Sequence, residues 1–169
     1  MADDEVELTE EQQKELELQQ LFDERVPPLR SVDDYNRLVR DDVELLVCVV
    51  ALSSQCPHSA GMREKLMKIA KPSKMTKNAV WFRFDVHAVP ALAEQLGVSQ
   101  VPAAFFTLKG VQWDTTVGSA PERLFAVFKN NLIKRNEVMR EHDLAKLPKP
   151  ADEDEEGEEG EENEEEEED

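Results

Sequence analysis

One unbroken apolar run, residues 45–52 (LLVCVVAL), limits the fold of this chain more than any other feature. Every position of the run is apolar, so both alternating faces of an extended segment are hydrophobic. A strand with two apolar faces has to be covered on both sides, which is typical of a central strand that helices flank. The run is also far shorter than the roughly twenty residues that span a membrane. We therefore expect a buried central strand and no membrane partner.

The segments after this strand alternate between helical and extended patterns. They are, in order, a helix over 59–71, a strand over 79–86, a helix over 90–96, strands over 102–108 and 111–117, and a final helix that follows SAPE at 119–122. Only Lys109 and Gly110 separate the last two strands, and a two-residue connection requires an antiparallel hairpin. The predicted fold class is therefore α/β, with a mixed central sheet flanked by helices.

The N-terminal region adds a further predicted helix, over residues 9–24. Thr9 and Gln12 have the spacing of a capping box, and Pro27 and Pro28 follow the helix and end it. Its apolar side chains are few, so we expect this helix to dock loosely or to await a partner. The domain organisation that we predict is an acidic N-terminal helix (1–25), one globular domain (26–147) and a disordered acidic tail (148–169).

The net charge of −18 comes from the two ends of the chain. Residues 1–25 carry ten acids and two bases, and residues 151–169 carry fifteen acids and no base. Residues 26–150 carry 13 acids and 18 bases, a net charge of +5, in which no basic stripe stands out. This balance argues against nucleic acid as the main partner. The acidic start resembles neither a signal peptide nor a transit peptide, and two cysteines fit a reducing compartment, so we expect a cytoplasmic or nuclear protein.

The fifteen tail carboxylates have three open interpretations. They could bind a basic protein partner, fold back on the mildly basic domain, or only keep the chain soluble.

The segment SQCPHS, residues 54–59, lies between the central strand and the following helix and carries the main functional signal. Together with FRFDV (82–86), QLGVSQVPAAFF (95–106), and KG (109–110) with Gly118, it resembles the thioredoxin family in order and spacing. The resemblance covers roughly residues 31–133. It implies a thioredoxin fold with a cis Val101-Pro102 peptide beside the active-site cysteine.

The resemblance also assigns the candidate site. Cys56 is the implied nucleophile, since a thiolate is favoured at a helix N-terminus, and His58 is implied to stabilise it as an imidazolium. Ser59 stands where the second, resolving cysteine of a thioredoxin belongs. The positions implied to contact substrate are Gln55, Pro57, Val101 and Pro102. The plain alternative is an inert thiol beside an ordinary exposed histidine.

Three departures from the family limit the implied chemistry, at Ser59, at Val50, and on the surface that faces a substrate, where Gln55 replaces the usual tryptophan and Ala103 the usual threonine. A serine hydroxyl at position 59 cannot release a mixed disulfide as a thiolate does. Val50 replaces the buried acid that assists proton transfer to the resolving cysteine. Cys48 lies inside the central strand and is predicted to be a core residue, too far from Cys56 to replace the missing thiol. His87 is predicted to be a loop or helix-cap residue without a surrounding cluster.

Two functions are compatible with these residues. The first is a monothiol redox protein, in which Cys56 forms mixed disulfides with protein substrates and an external thiol such as glutathione resolves them. The second is a catalytically inactive thioredoxin-fold scaffold or chaperone-associated module. No metal or other cofactor is expected from the spacing of potential ligands, and we expect a monomer.

Overall fold

A computed structural model describes residues 6–40 and 42–146 of the chain. Within these residues, four strands form one mixed sheet at the centre of the molecule. The strands are β1 (Leu46–Leu52), β2 (Ala79–Asp85), β3 (Ala103–Leu108) and β4 (Val111–Val117), in the order β2-β1-β3-β4. β1 pairs parallel with β2 and antiparallel with β3, and β3 pairs antiparallel with β4. The predicted central strand is therefore confirmed, and so is the predicted hairpin. Lys109 and Gly110 both have positive φ, which the two-residue hairpin turn requires.

Six helices accompany the sheet: α1 (Glu10–Arg25), α2 (Val32–Leu38), α3 (Pro57–Ala60), α4 (Met62–Ile69), α5 (Pro90–Leu96) and α6 (Pro121–Lys146). The helix predicted over 59–71 is thus two shorter helices, with Gly61 between them. The predicted tail lies outside the described residues, as do residues 1–5 and 41. No helix in the described part of the chain is long and apolar enough to cross a membrane.

The two faces of the sheet bury separate hydrophobic clusters, as the doubly apolar β1 predicts. On one face Cys48 and Val50 pack with residues of α1, α4 and α6, among them Phe22, Leu66 and Phe128. On the other face Val47 and Val49 pack with residues of α2 and α5, including Tyr35 and Leu92. Both faces of β1 are consequently removed from water, and the C-terminal end of this strand is held in a fixed position.

Helix α1 is anchored more firmly than its sparse apolar pattern suggested. Phe22 is 5% exposed, and the Arg83 guanidinium lies 4.4 Å from the centre of its ring while also pairing with Asp23. Arg63 of α4 binds the Glu15 carboxylate, with 3.1 Å between Nη2 and Oε2. These contacts come from α4 and β2 and could not be predicted from the sequence of the helix itself.

The chain between α1 and α2 covers the outer edge of β2. The Arg83 N–H donates to the Pro27 carbonyl at 3.1 Å, and the Leu29 N–H donates to the Arg83 carbonyl at 2.7 Å. These two bonds make a one-residue parallel bridge at Pro28. They satisfy part of the edge of the sheet and tie the N-terminal helix to the domain.

Candidate active site

Cys56 is the N-cap residue of α3, directly after the loop that leaves β1. Pro57 occupies the first helical position, where its missing N–H costs no hydrogen bond. The Cys56 side chain is half-buried and does not cap the helix. Because α3 has only four residues before Gly61, the groups that act on the sulfur are local N–H donors of the first turn.

Those local donors lower the pKa of the Cys56 thiol. The largest influence is the Ser59 backbone N–H, which also donates to the Cys56 carbonyl oxygen at 3.1 Å; partial burial opposes it, and the His58 backbone N–H and the Ser59 hydroxyl add to the lowering. His58 therefore acts through its backbone, whereas its imidazole ring, to which the sequence analysis assigned the effect, is exposed. The geometry favours a thiolate at Cys56 by fixed backbone dipoles.

The Val101-Pro102 peptide is cis and lies beside Cys56, as the resemblance implied. The Cys56 Sγ is 3.7 Å from the Val101 carbonyl oxygen, to which the protonated thiol can donate. Pro102 is fully buried, and its carbonyl accepts a 2.8 Å hydrogen bond from the Gly118 N–H at the end of β4. The Gly118 N–H therefore helps to hold this peptide beside the cysteine.

Ser59, which the resemblance aligns with the second thiol of a thioredoxin, is buried. Its hydroxyl accepts a hydrogen bond from the Ser53 N–H at 3.1 Å. The Ser53 carbonyl accepts the Cys56 N–H at 3.1 Å, and the Ser53 Oγ accepts the Gln55 N–H at 3.2 Å. Ser53 and Ser59 together fix the shape of the loop that carries Cys56.

The structure also brings His87 and Asp85 to this loop, which the sequence analysis did not foresee. His87 Nε2 lies 2.9 Å from Ser53 Oγ. The Asp85 carboxylate accepts the N–H groups of Ser54 (2.9 Å), His87 (2.7 Å) and Ala88 (3.3 Å). Burial opposes the ionisation of Asp85, but these donors outweigh it and lower its pKa.

This contact could have been inferred only from a parallel pairing of the two predicted strands. The parallel register pairs Leu52 with Asp85, so the loops that follow β1 and β2 leave the sheet at the same edge. His87 lies in the turn after β2, as predicted, and its ring contacts Ser53 rather than a cysteine or a carboxylate. The contact with Ser53 was not predicted, because the two residues are 34 apart in sequence.

The other residues considered in the sequence lie in the loop, at the cis peptide or in the core. Gln55 and Pro57 are exposed on either side of Cys56, and Val101 is half-buried. Cys48 is fully buried in the core, where burial raises its pKa well above the usual value, and neither cysteine forms a disulfide. Val50, where the family places an acid, is also fully buried. Among the residues that the structure describes, no three His, Cys, Asp or Glu side chains could together hold a metal ion.

No protein-family model matches this sequence, and no curated protein matches it. Solved structures do match. A thioredoxin from Malassezia sympodialis is 20% identical over 62% of this chain and 89% of its own, with a TM-score of 0.57. A thioredoxin from Trypanosoma brucei brucei is 18% identical over 64% and 91%, with a TM-score of 0.56. Mitochondrial thioredoxin 3 of Saccharomyces cerevisiae is 15% identical over 65% and 98%, with a TM-score of 0.57. The chain therefore has the thioredoxin fold.

Proposed function

We propose that this protein is a monothiol thiol-disulfide exchange protein that acts on disulfides or glutathionylated cysteines of other proteins. One observation carries the proposal: the half-buried Cys56 is the N-cap residue of α3, where the backbone N–H groups of Ser59 and His58 lower the pKa of its thiol. A thiolate is the nucleophile in disulfide exchange, and a pKa close to the ambient pH gives the best attacking thiol.

The proposed reaction has two exchange steps. The Cys56 thiolate attacks one sulfur of the substrate disulfide, a Cys56–substrate disulfide forms, and the other substrate sulfur leaves as a thiolate that takes up a proton. An external thiolate then attacks the mixed disulfide, bonds to the substrate sulfur, and releases Cys56 as a thiolate. For a glutathionylated substrate, Cys56 accepts the glutathionyl group and a second glutathione releases it as oxidised glutathione. Each step exchanges one disulfide for another, so no further oxidant is needed.

The external thiol is required because the chain offers no internal one. Ser59 is a hydroxyl already engaged with the Ser53 N–H, and Cys48 is fully buried. We propose glutathione for this step, and accordingly a reducing compartment such as the cytoplasm or the nucleus.

The proposed substrate contacts surround Cys56. Gln55 and Pro57 flank it in the loop, and Val101 and Pro102 form the cis peptide across from it. Because the Val101 carbonyl lies 3.7 Å from the sulfur, a substrate cysteine bonded to Cys56 would contact this segment.

The experiment is adduct formation with a glutathionylated peptide, followed by intact-protein mass spectrometry. We expect the wild-type protein to gain one glutathionyl group on Cys56 and to lose it when reduced glutathione is added. The matched variants are Cys48→Ala, which should behave as wild type, and Ser59→Cys, in which the restored second thiol should replace the adduct with an internal disulfide. An adduct of equal yield in Cys56→Ser, or no adduct in any variant, would contradict the proposal.

A thioredoxin-fold scaffold is the second candidate, favoured by the way the loop is closed without a second thiol. The buried Ser59 hydroxyl and the Ser53 N–H hold the loop in shape, so the fold does not depend on dithiol chemistry. Affinity recovery of partners with Cys56→Ala distinguishes the two functions. A partner set that is independent of Cys56 supports the scaffold, and one that is lost with the thiol supports exchange chemistry.

A further inference from the structure

The net positive charge of residues 26–150 comes from one stretch of chain. Residues 61–78 carry six bases and the single acid Glu64, a net charge of +5. This equals the whole net charge of residues 26–150, so the rest of the domain is neutral. No basic stripe stands out when charge is counted over the whole of residues 26–150, because the lysines at 65, 68, 71, 74 and 77 are each three residues apart.

Four of these lysines are free to meet an anion. Lys68, Lys71, Lys74 and Lys77 are exposed, and none forms an ion pair with a carboxylate of the described residues. The other two bases of the stretch are engaged, Arg63 with Glu15 and Lys65 with the Ser119 carbonyl at 2.6 Å. We call residues 68–77 the lysine segment. Four unpaired like charges within ten residues create a local positive potential.

The middle of the C-terminal helix α6 lies beside the residue that follows the lysine segment. A 3.5 Å contact between the side-chain amides of Asn78 and Asn136 joins the end of the segment to the middle of α6. From Asn136 to its end at Lys146 the helix advances about 15 Å. The first acid of the tail is Asp152, and six extended residues span about 20 Å. The acidic stretch 152–169 can therefore return to the lysine segment.

We propose that the acidic tail, through residues 152–169, binds the lysine segment of the same chain. The tail carries fifteen carboxylates and the lysine segment four lysines, so the tail has more than enough negative charge to pair with all four. Attachment through a short linker gives the tail an effective concentration of about millimolar, which a second molecule rarely reaches in solution. The tail then covers the most basic surface of the domain, and an anionic ligand has to displace it. This inference does not depend on the chemistry of Cys56.

The first test is zero-length carbodiimide cross-linking of the full chain, using an equal mixture of isotopically light and heavy protein, with peptides mapped by mass spectrometry. We expect cross-links from tail carboxylates to Lys68, Lys71, Lys74 and Lys77 within one molecule, at least about tenfold more frequent than those to the exposed Lys129 of α6. They should be lost at about 1 M salt, where the Debye length is about 3 Å. Mixed light-heavy links would instead show that the occupant is a second copy, and equal labelling of Lys129 would show unspecific attraction; either result overturns the proposal.

The second test compares two charge-matched variants of the full chain by NMR of the tail amides. The first removes Lys68, Lys71, Lys74 and Lys77 by substitution with Gln, and the control replaces Arg123, Lys129, Lys134 and Arg140 of α6 with Gln. We expect the wild type and the control to show salt-dependent shifts at residues 152–169, and the lysine-segment variant to lose most of them. Folding of each variant is checked by the amide signals of β1. Equal shifts in both variants, or no shifts in the wild type, would overturn the proposal.

Discussion

The two cysteines of this chain lie eight residues apart and occupy opposite environments. Cys48 is in the middle of β1, fully buried between helices and sheet, and burial raises its pKa well above the usual value. Cys56 is at the end of the loop that leaves the same strand, where backbone N–H groups lower its pKa. The difference shows that the reactivity of a thiol is set by the donors and the water around it. Cys48 within β1 is therefore a core residue, and Cys56 in the loop after β1 is the candidate nucleophile.

The largest expected effect is a difference in alkylation rate between the two cysteines. In the native protein at neutral pH, Cys56 should react with iodoacetamide at least about a thousandfold faster than Cys48, because the buried thiol reacts only after the core opens. The measurement is time-resolved alkylation with peptide mapping. Cys56→Ser should remove the fast phase, and Cys48→Ala should leave it unchanged. Fast alkylation of Cys48 would contradict the proposed difference in reactivity between the two cysteines.

A second test concerns Asp85, which fixes the loop that carries Cys56. Asp85→Ala removes the acceptor of three backbone N–H groups and should lower the free energy of unfolding by about 1–3 kcal/mol. Because the pKa of Asp85 is lowered in the folded state, its contribution is present above the unfolded pKa of about 3.9 and is lost as the pH falls through the folded pKa.

The stability difference between the wild type and Asp85→Ala should therefore narrow below about pH 4 in urea unfolding experiments. Asp85→Asn is the matched control, since it keeps the shape of the side chain and cannot titrate. A difference that stays constant down to the acid limit would show that the carboxylate charge does not hold the loop.

The buried environment of Cys48 is tested by replacing its thiol with a hydroxyl. Cys48→Ser should lower the free energy of unfolding by about 1–3 kcal/mol, because a buried polar group replaces an apolar one. Cys48→Ala removes the thiol without adding a hydroxyl and should be more stable than the serine variant. The alkylation midpoint of Cys56 should be the same in both. A shift of that midpoint would mean that the two cysteines are coupled.

The smallest expected effect belongs to Ser59. Ser59→Ala removes the hydroxyl, which contributes least to the lowered pKa of Cys56, but keeps the backbone N–H, so the pKa of Cys56 should rise. Alkylation of Cys56 at neutral pH should slow by about two- to tenfold, the factor expected for one lost hydrogen bond. An unchanged or faster rate would assign the lowering of the pKa to the backbone alone.

The sequence was sufficient for the features that depend on local pattern. The doubly apolar pattern of β1 predicted a central strand covered on both faces, and the two-residue connection predicted the hairpin. The family resemblance placed Val101-Pro102 beside Cys56. The helix predicted over 59–71 begins at Pro57 and is interrupted at Gly61. The interruption was missed because the apolar positions that predicted the helix all lie after the glycine.

Contacts between distant parts of the chain were not predictable in the same way. The pairing of His87 with Ser53 spans 34 residues and depends on the parallel register of β1 and β2. The anchoring of α1 depends on Arg83, which interacts with Phe22 and Asp23 from a separate strand. In each case one partner has no distinguishing local pattern, and only the assembled sheet brings the two together.

The most direct measurement is the ultraviolet absorbance of the Cys56 thiolate as a function of pH, taken as the difference between the wild type and Cys56→Ser. Local N–H donors that stabilise the thiolate place the midpoint below about 8.5, the usual value for a free cysteine. A midpoint at or above about 8.5 would contradict the account, because Cys56 would then be no more nucleophilic than an ordinary exposed thiol.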